Sequence, residues 1–314
     1  MPLLSVVVPV FCEQEALPRL FERLPAVLGG VEDLDLEVLL VDDGSTDRSW
    51  ELIEAQHEVD PRFRGLRLSR NFGHQIALTA GLDHANGDAV VVMDADLQDP
   101  PEVVLELLER WREGHAVVYG RRRSRAGEGW FKRATARVFY RLMQRLSASP
   151  TPLDVGDFYL LDRRALLQLR NMRERHRYLR GMVFWLGFPR AEVLYDRQAR
   201  SAGRTKFDLG RMLRFAMDGM LSSGSVPLTM ASYVGLASAL LGLFLGLWAV
   251  WEKLTDPSAV IGWASTVVIV LFLGGVQLAT IGLLGLYVGR IYDETKRRPL
   301  YLLDRAHPDG SVED

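Results

Sequence analysis

The chain has one cysteine, Cys12, in 314 residues. That excludes a disulfide framework and a cysteine-built zinc site, and fits a reducing compartment. It also lacks an excess of charge of either sign. Basic side chains number 38 against 40 acidic ones, a net of −2, which excludes a strongly basic nucleic-acid binder. No G-x-G-x-x-G turn follows the first apolar run, where Phe11, Cys12 and Glu13 stand instead, so a dinucleotide-binding dehydrogenase is disfavoured. The histidines (His57, His74, His84, His115, His176 and His307) show no metal-ligand spacing. Leu3–Val10 is too short and too β-branched for a signal peptide.

The largest absence is local. Between Val226 and Arg290 the only charged side chains are Glu252, Lys253, Asp256 and Arg290. Two uncharged runs result, Val226–Trp251 and Pro257–Gly289, and a bilayer core needs only roughly 20 apolar helical residues. Each run is long enough to cross once, with Glu252–Asp256 as the turn of a hairpin. Small residues recur along both (Gly235, Ala239, Gly242, Gly246; Gly274, Gly275, Gly282, Gly285, Gly289), which suits close helix packing and allows a homo-oligomer. Six basic residues lie between Arg197 and Arg214 with Asp208 as the one acid. Arg290, Lys296, Arg297 and Arg298 follow the second run, and the turn holds only Lys253. The positive-inside bias predicts a membrane protein with its amino-terminal domain and both termini in the cytoplasm. The expected organisation is a cytoplasmic domain over 1–206, an amphipathic juxtamembrane helix over 207–225, two transmembrane helices within 226–290 and a cytoplasmic tail over 291–314.

The first two hundred residues alternate short β-branched runs (Ser5–Val10, Glu37–Val41, Gly65–Ser69, Ala89–Met93, Ala116–Tyr119) with helical stretches (Glu15–Leu28, Ser49–Val59, His74–Ala85, Glu102–Glu113). This predicts an α/β domain with a largely parallel sheet, whose ligands gather at the carboxyl ends of the strands. Two of those ends are rich in carboxylates. Asp42-Asp43-Gly44-Ser45-x-Asp47 closes the second strand. Asp94-Ala95-Asp96-Leu97-Gln98-Asp99 closes the fourth, and the two loops are expected on neighbouring strands. Asp-x-Asp in such a loop supplies hard oxygen ligands for Mg²⁺ or Mn²⁺, with substrate phosphate oxygens completing the shell. The plainer alternative is that Gly44 makes a turn, that Ser45 or Thr46 caps a helix, and that Asp99 caps the helix starting near Pro101.

The set Val8-Pro9-Val10-Phe11-x-Glu13, Val41-Asp42-Asp43-Gly44-Ser45-x-Asp47, Ser69-Arg70-Asn71-Phe72-Gly73-His74-Gln75 and Met93-Asp94-Ala95-Asp96-Leu97-Gln98-Asp99-Pro100-Pro101-Glu102 resembles family-two glycosyltransferases of the GT-A fold. Within that family the chain is most similar to the polyprenyl-phosphate glycosyltransferases, in particular the bactoprenol glucosyltransferase branch with its carboxyl-terminal membrane hairpin. The resemblance implies inverting transfer of a sugar from a nucleotide donor, with UDP-glucose expected, to undecaprenyl or another polyprenyl phosphate. GDP-mannose, UDP-GlcNAc or a UDP-aminosugar remain alternative donors, and a non-catalytic nucleotide-binding scaffold is the alternative from another class. Pro9, Glu13, Asp42 and Asp94 would line the nucleotide. Asp96, with Gln98 and Asp94, would hold Mg²⁺ or Mn²⁺ on the diphosphate. Asp157, with Asp154 beside it in Leu153–Phe158, would be the general base on the acceptor side. Arg200 and Lys206 would belong to a mobile loop over the diphosphate. The family usually has Asn where this chain has Cys12, which is expected here to be a small buried residue.

Nine basic residues and one acid fall between Arg121 and Arg145, where a helix over about Trp130–Leu146 would carry an apolar stripe and a basic face. Arg122 and Arg133 are the candidates for gripping the lipid phosphate, because a guanidinium binds phosphate through two hydrogen bonds.

Overall fold

The computed structural model describes residues 1–31, 33–123, 155–196, 226–255 and 263–307. Asp154, Arg133, Arg200, Lys206, the helix expected over 130–146 and the amphipathic helix expected over 207–225 lie outside these residues.

The chain divides into two compact units. The first is built on an eight-stranded sheet: β1 (Leu3–Val10), β2 (Asp35–Asp42), β3 (Phe63–Leu68), β4 (Ala89–Val92), β5 (Val117–Arg122), β6 (Val155–Asp162), β7 (Arg190–Tyr195) and β8 (Leu303–Ala306), in the order β7-β5-β6-β4-β1-β2-β3-β8. The central strands β4, β1, β2 and β3 run parallel. β6 is antiparallel to both β4 and β5, β7 is parallel to β5, and β8 is antiparallel to β3. The sheet is therefore mixed, with its parallel part at the centre. The loops after β2 and β4 are not on neighbouring strands, because β1 lies between them.

Helices cover both faces, which is why the central strands read as continuous apolar runs. Side chains alternate across a strand, so Val6, Val8 and Val10 face one layer and Val7 the other. On the first face α1 (Leu17–Leu28) contributes Leu17, Leu20, Leu24 and Leu28, α2 (Ser49–Val59) contributes Trp50 and Ile53, and α4 (Val103–Arg112) contributes Val104 and Leu107. On the second, α3 (His74–His84), α5 (Arg163–Asn171) and α6 (Leu179–Trp185) bury Leu78, Leu82, Leu166, Leu169, Leu179 and Val183. Asp162 ends β6 and starts α5, accepting the Arg164 N–H at 2.9 Å.

Residues beyond Arg298, expected as a tail, return to this sheet. Leu303 pairs with Leu68 and Ala306 with Leu66. His307 then accepts the Gly65 N–H through Nδ1 at 2.9 Å and stacks on His57, with ring centroids 4.1 Å apart.

The second unit is a pair of helices packed on each other, α7 (Val226–Thr255) and α8 (Trp263–Thr295). Their windows Ala231–Trp248 and Phe272–Thr295, of mean hydropathy 1.7 and 1.6, are long and apolar enough to cross a membrane. Leu236, Leu240, Leu243, Phe244 and Leu247 on α7 point outward.

Candidate active site

A cleft of about 560 Å³ opens at the carboxyl ends of β1, β2 and β4, within the size of ordinary small-molecule sites. Pro9, Val10, Phe11 and Glu13 line it from β1, Asp43 from β2, Asp94, Ala95 and Asp96 from β4, and Asn71, Gly73, His74 and Ala77 from the start of α3.

The two adjacent aspartates after β2 do different work. Asp42 shares its face of the strand with Val38 and Leu40, so it points under the helical layer and does not line the cleft. It is fully buried; Oδ1 accepts the Ser45 N–H at 3.0 Å. Oδ2 has no hydrogen-bond partner and meets Arg67 Nε only at 3.5 Å. Burial raises its pKa, with the Ser45 hydrogen bonds and Arg67 opposing. Asp43 accepts the N–H groups of Phe72 and Gly73 at 2.7 and 2.9 Å and so fastens the approach to α3 against β2. Gly44 makes that contact possible. Its φ is +69°, and a Cβ there would lie 2.6 Å from the Arg70 carbonyl carbon.

Asp94 and Asp96 both face the cleft. Burial pushes the Asp94 pKa up to about 6; the His74 charge opposes this, and the carboxylates of Asp99, Asp96 and Asp157 add to it. Gln98 is buried and absent from the cleft wall, and its backbone N–H donates to Asp96 Oδ1 at 3.1 Å. Asp99 is buried and accepts the Tyr195 hydroxyl at 2.6 Å. Arg122 donates to the same hydroxyl at 3.3 Å and lies 3.6 Å from Asp99, so its guanidinium joins β5, β7 and the loop after β4.

Asp157, on β6, is held from three directions. His74 Nε2 lies 3.4 Å from Oδ2, Gln75 Nε2 donates to Oδ2 at 3.1 Å, and Arg180 donates to Oδ1 at 3.2 Å. Gln75 is fixed in turn by the Leu179 N–H at 3.0 Å. Burial works to raise the Asp157 pKa, but the His74 hydrogen bond and the charges of Arg180 and His74 outweigh it and bring it down to about 2. Burial likewise works against a charged His74. The hydrogen bond to Asp157 and the charges of Asp94, Asp157 and Asp43 outweigh it, so the imidazole pKa is raised.

Of the residues expected in the site, the cleft brings together Pro9, Glu13, Asp94 and Asp96, with Asp157 reaching it through His74. Sequence reasoning passed over Asp43, Asn71, His74, Gln75 and Arg180. The segment Ser69–Gln75 was conspicuous as a motif without a role, and only the fold shows that it starts α3 at the cleft. Cys12 is exposed, not buried, and adopts φ +54°, a left-handed conformation in which Asn is favoured among non-glycine residues. Its N–H donates to Ser45 Oγ at 2.9 Å. That backbone shape is one that Asn adopts more readily than Cys, because its short polar side chain can hydrogen-bond locally.

Comparison with known proteins bears on the whole arrangement. Residues 5–170, from β1 to near the end of α5, match the family described as Glycosyl transferase family 2. The glycosyltransferase YkcC of Bacillus subtilis, itself uncharacterized, is 43% identical over 96% of this chain and 94% of its own length. The prophage bactoprenol glucosyl transferase homolog of Escherichia coli K12 is 39% identical over 96% and 99%. Among solved structures, glucosyl-3-phosphoglycerate synthase from Mycobacterium tuberculosis, in complex with Mn²⁺, uridine diphosphate and glucosyl-3-phosphoglycerate, aligns with a TM-score of 0.51 at 22% identity, over 72% of this chain and 81% of that one. This last likeness is one of fold. The sheet order, the carboxylate-lined cleft and the near full-length relatives agree, and the chain belongs to glycosyl transferase family 2 and is a glycosyltransferase.

Proposed function

We propose that this glycosyltransferase moves a hexose, with glucose from UDP-glucose as the expected donor, onto polyprenyl phosphate, making a lipid-linked sugar for cell-envelope glycosylation. The observation that carries the reading is the 39% identity to proteins named bactoprenol glucosyl transferase, which extends over nearly their whole length and so takes in α7 and α8. On this reading the two helices cross the inner membrane and both termini lie in the cytoplasm.

A divalent cation fits the cleft's chemistry. Asp94 and Asp96 offer oxygen donors on one wall, and the burial and neighbouring carboxylates that raise the Asp94 pKa to about 6 are what a bound cation would offset. Two protein carboxylates with phosphate oxygens and waters are an ordinary Mg²⁺ set. Mn²⁺ or Mg²⁺ accompanies uridine diphosphate in the mycobacterial synthase structures. Asp94 and Asp96 would hold the ion, with the Gln98 N–H fixing Asp96. When bound, it supplies positive charge against the leaving diphosphate.

In the transfer itself an oxygen of the lipid phosphate attacks the anomeric carbon as the bond to the nucleoside diphosphate breaks, inverting that carbon. Pro9, Glu13 and Asp43 position the donor, and Asp42 supports them from beneath. A carboxylate with a pKa of about 2 is too weak a base to take a proton from a phosphate whose second pKa is roughly 6. Asp157 therefore acts by placing its neighbours. Arg122, tied to Tyr195 and Asp99, steadies the loop that carries Asp94 and Asp96.

Membranes containing the protein, incubated with radiolabelled UDP-glucose and Mg²⁺ or Mn²⁺, should yield label in the organic phase. A chelator should abolish it, and Asp96→Ala should lower it by roughly 10²-fold or more. Parallel incubations with GDP-mannose, UDP-GlcNAc and a UDP-aminosugar identify the donor. No lipid-extractable label with any of them would overturn the proposal.

A further inference from the structure

We infer that His74 is a phosphate-binding residue of the cleft, donating from Nδ1 to a non-bridging phosphate oxygen while Asp157 holds its Nε2. The inference rests on the glycosyl-transfer reading above and adds a contact to it.

Charge is the first argument. Among the described residues lining the cleft, Glu13, Asp43, Asp94 and Asp96 are acidic, and His74 is the one side chain that can carry positive charge. A nucleoside diphosphate sugar and a lipid phosphate bring further negative charge into the same space. A bound divalent ion offsets part of that, on the Asp94 and Asp96 wall. His74 stands on another element, the first residue of α3, where the helix dipole adds partial positive charge of its own.

Geometry is the second. Nε2 faces Asp157 at 3.4 Å, so Nδ1 is the nitrogen left for a ligand. The side chain keeps 44% of its surface exposed and lies on the cleft wall. A histidine serving only to tie α3 to β6 would need neither. That tie exists without it, because Gln75 already joins α3 to Asp157 and to the Leu179 N–H of α6.

Rigidity is the third. Asp157 is gripped by Gln75 and by Arg180, so the group that orients His74 has little freedom of its own. A donor fixed before the ligand arrives loses less entropy on binding it. Asp157 is thus a positioning residue, acting through His74.

Either phosphate of the reaction could be the partner, and binding separates them. With the purified full-length protein in detergent and Mg²⁺, the affinities of UDP and of uridine are measured by calorimetry, together with KM for donor and for lipid phosphate. His74→Gln should weaken the phosphate contact by roughly 10- to 100-fold, the span expected for one charge-assisted hydrogen bond. If the donor diphosphate is the partner, UDP affinity falls while uridine affinity holds. If the acceptor is the partner, KM for lipid phosphate rises while UDP binding holds. Either outcome supports the inference. His74→Lys, which restores a cationic donor, should recover part of the loss, and Asp157→Asn should reproduce a fraction of it. UDP affinity and both KM values within about twofold of the parent in His74→Gln would overturn it. So would parallel losses of UDP and uridine with a lowered thermal midpoint, the mark of a purely structural role. Calorimetry with UDP needs no lipid acceptor, so an unproductive transfer assay would count against the proposed acceptor alone.

Discussion

Replacing Asp157 by asparagine keeps the outline of the side chain and removes its charge from between His74 and Arg180. With the carboxyl held at about 2 against the ordinary 3.8, the shift is close to two units. Asp157 is only 14% exposed, so little is lost to solvent screening, and at ~1.4 kcal/mol per unit the native state gains about 2 kcal/mol from the ionised form. A depressed carboxyl stabilises above its unfolded pKa, so this contribution is complete above about pH 4 and drains away as pH falls toward 2. His74 behaves oppositely. Its raised pKa stabilises fully below the ordinary 6.5 and the gain fades as pH climbs through the raised value. The difference in unfolding free energy between parent and Asp157→Asn should therefore peak between about pH 4 and 6.5 and shrink on both sides, less on the alkaline side because Arg180 stays charged. The groups facing Asp157 are His74, Gln75 and Arg180, with the buried Tyr159 hydroxyl on the same strand and the Asp94 carboxyl, whose pKa is about 6, acting on both Asp157 and His74 in parent and variant alike. Urea unfolding followed by tryptophan fluorescence, at about pH 5.5 and about pH 8.5, measures the difference directly. A gap below about 0.5 kcal/mol, or one that is equal at both values, would refute the reasoning.

Two further outcomes test the fold. Gly81 on α3 faces Val7 so closely that a Cβ would lie 2.3 Å from its Cγ1. Gly81→Ala should destabilise the domain by a net of about 1–2 kcal/mol, the overpacking cost exceeding the helix-propensity gain, and thermal denaturation reads it. Cys12→Asn should raise stability by about 0.5–1 kcal/mol, because asparagine tolerates the left-handed backbone there. A rise in thermal midpoint of roughly 1–4 °C checks it.

The five strands and four helices legible from alternation are those whose own residues carry the pattern. Val6 to Val8, Val38 to Val41 and Val90 to Val92 are apolar because both faces of the central sheet are covered. β8 has no such signal. Leu303-Asp304-Arg305-Ala306 is mostly exposed, and its strand form comes from β3 and from the docking of His307, some 240 positions away in sequence. In the site, Asp94 and Asp96 were readable because a strand end followed by two carboxylates is itself a chemical pattern. Choosing between Asp42 and Asp43 needed the register of β2. The contact between His74 and Asp157 needed β6, a strand absent from the alternation pattern and fixed by its pairing with β4 and β5. Arg122 drew notice for its charge, whereas Tyr195 and Asp99, its actual partners, lie far from it in sequence.

The pairing of β8 with β3 also constrains how the chain is threaded. After β7 the polypeptide leaves the sheet, forms α7 and α8, and comes back to the far edge of the same sheet. A chain that departs from one folded domain and rejoins it can traverse a bilayer only an even number of times, since an odd number would strand its last segment on the opposite side. The crossing number proposed for α7 and α8 has that parity. The strand hydrogen bonds constrain that parity alone, whatever the distribution of arginines. Until α8 has delivered residues 303–307, β3 presents an open ladder to its surroundings.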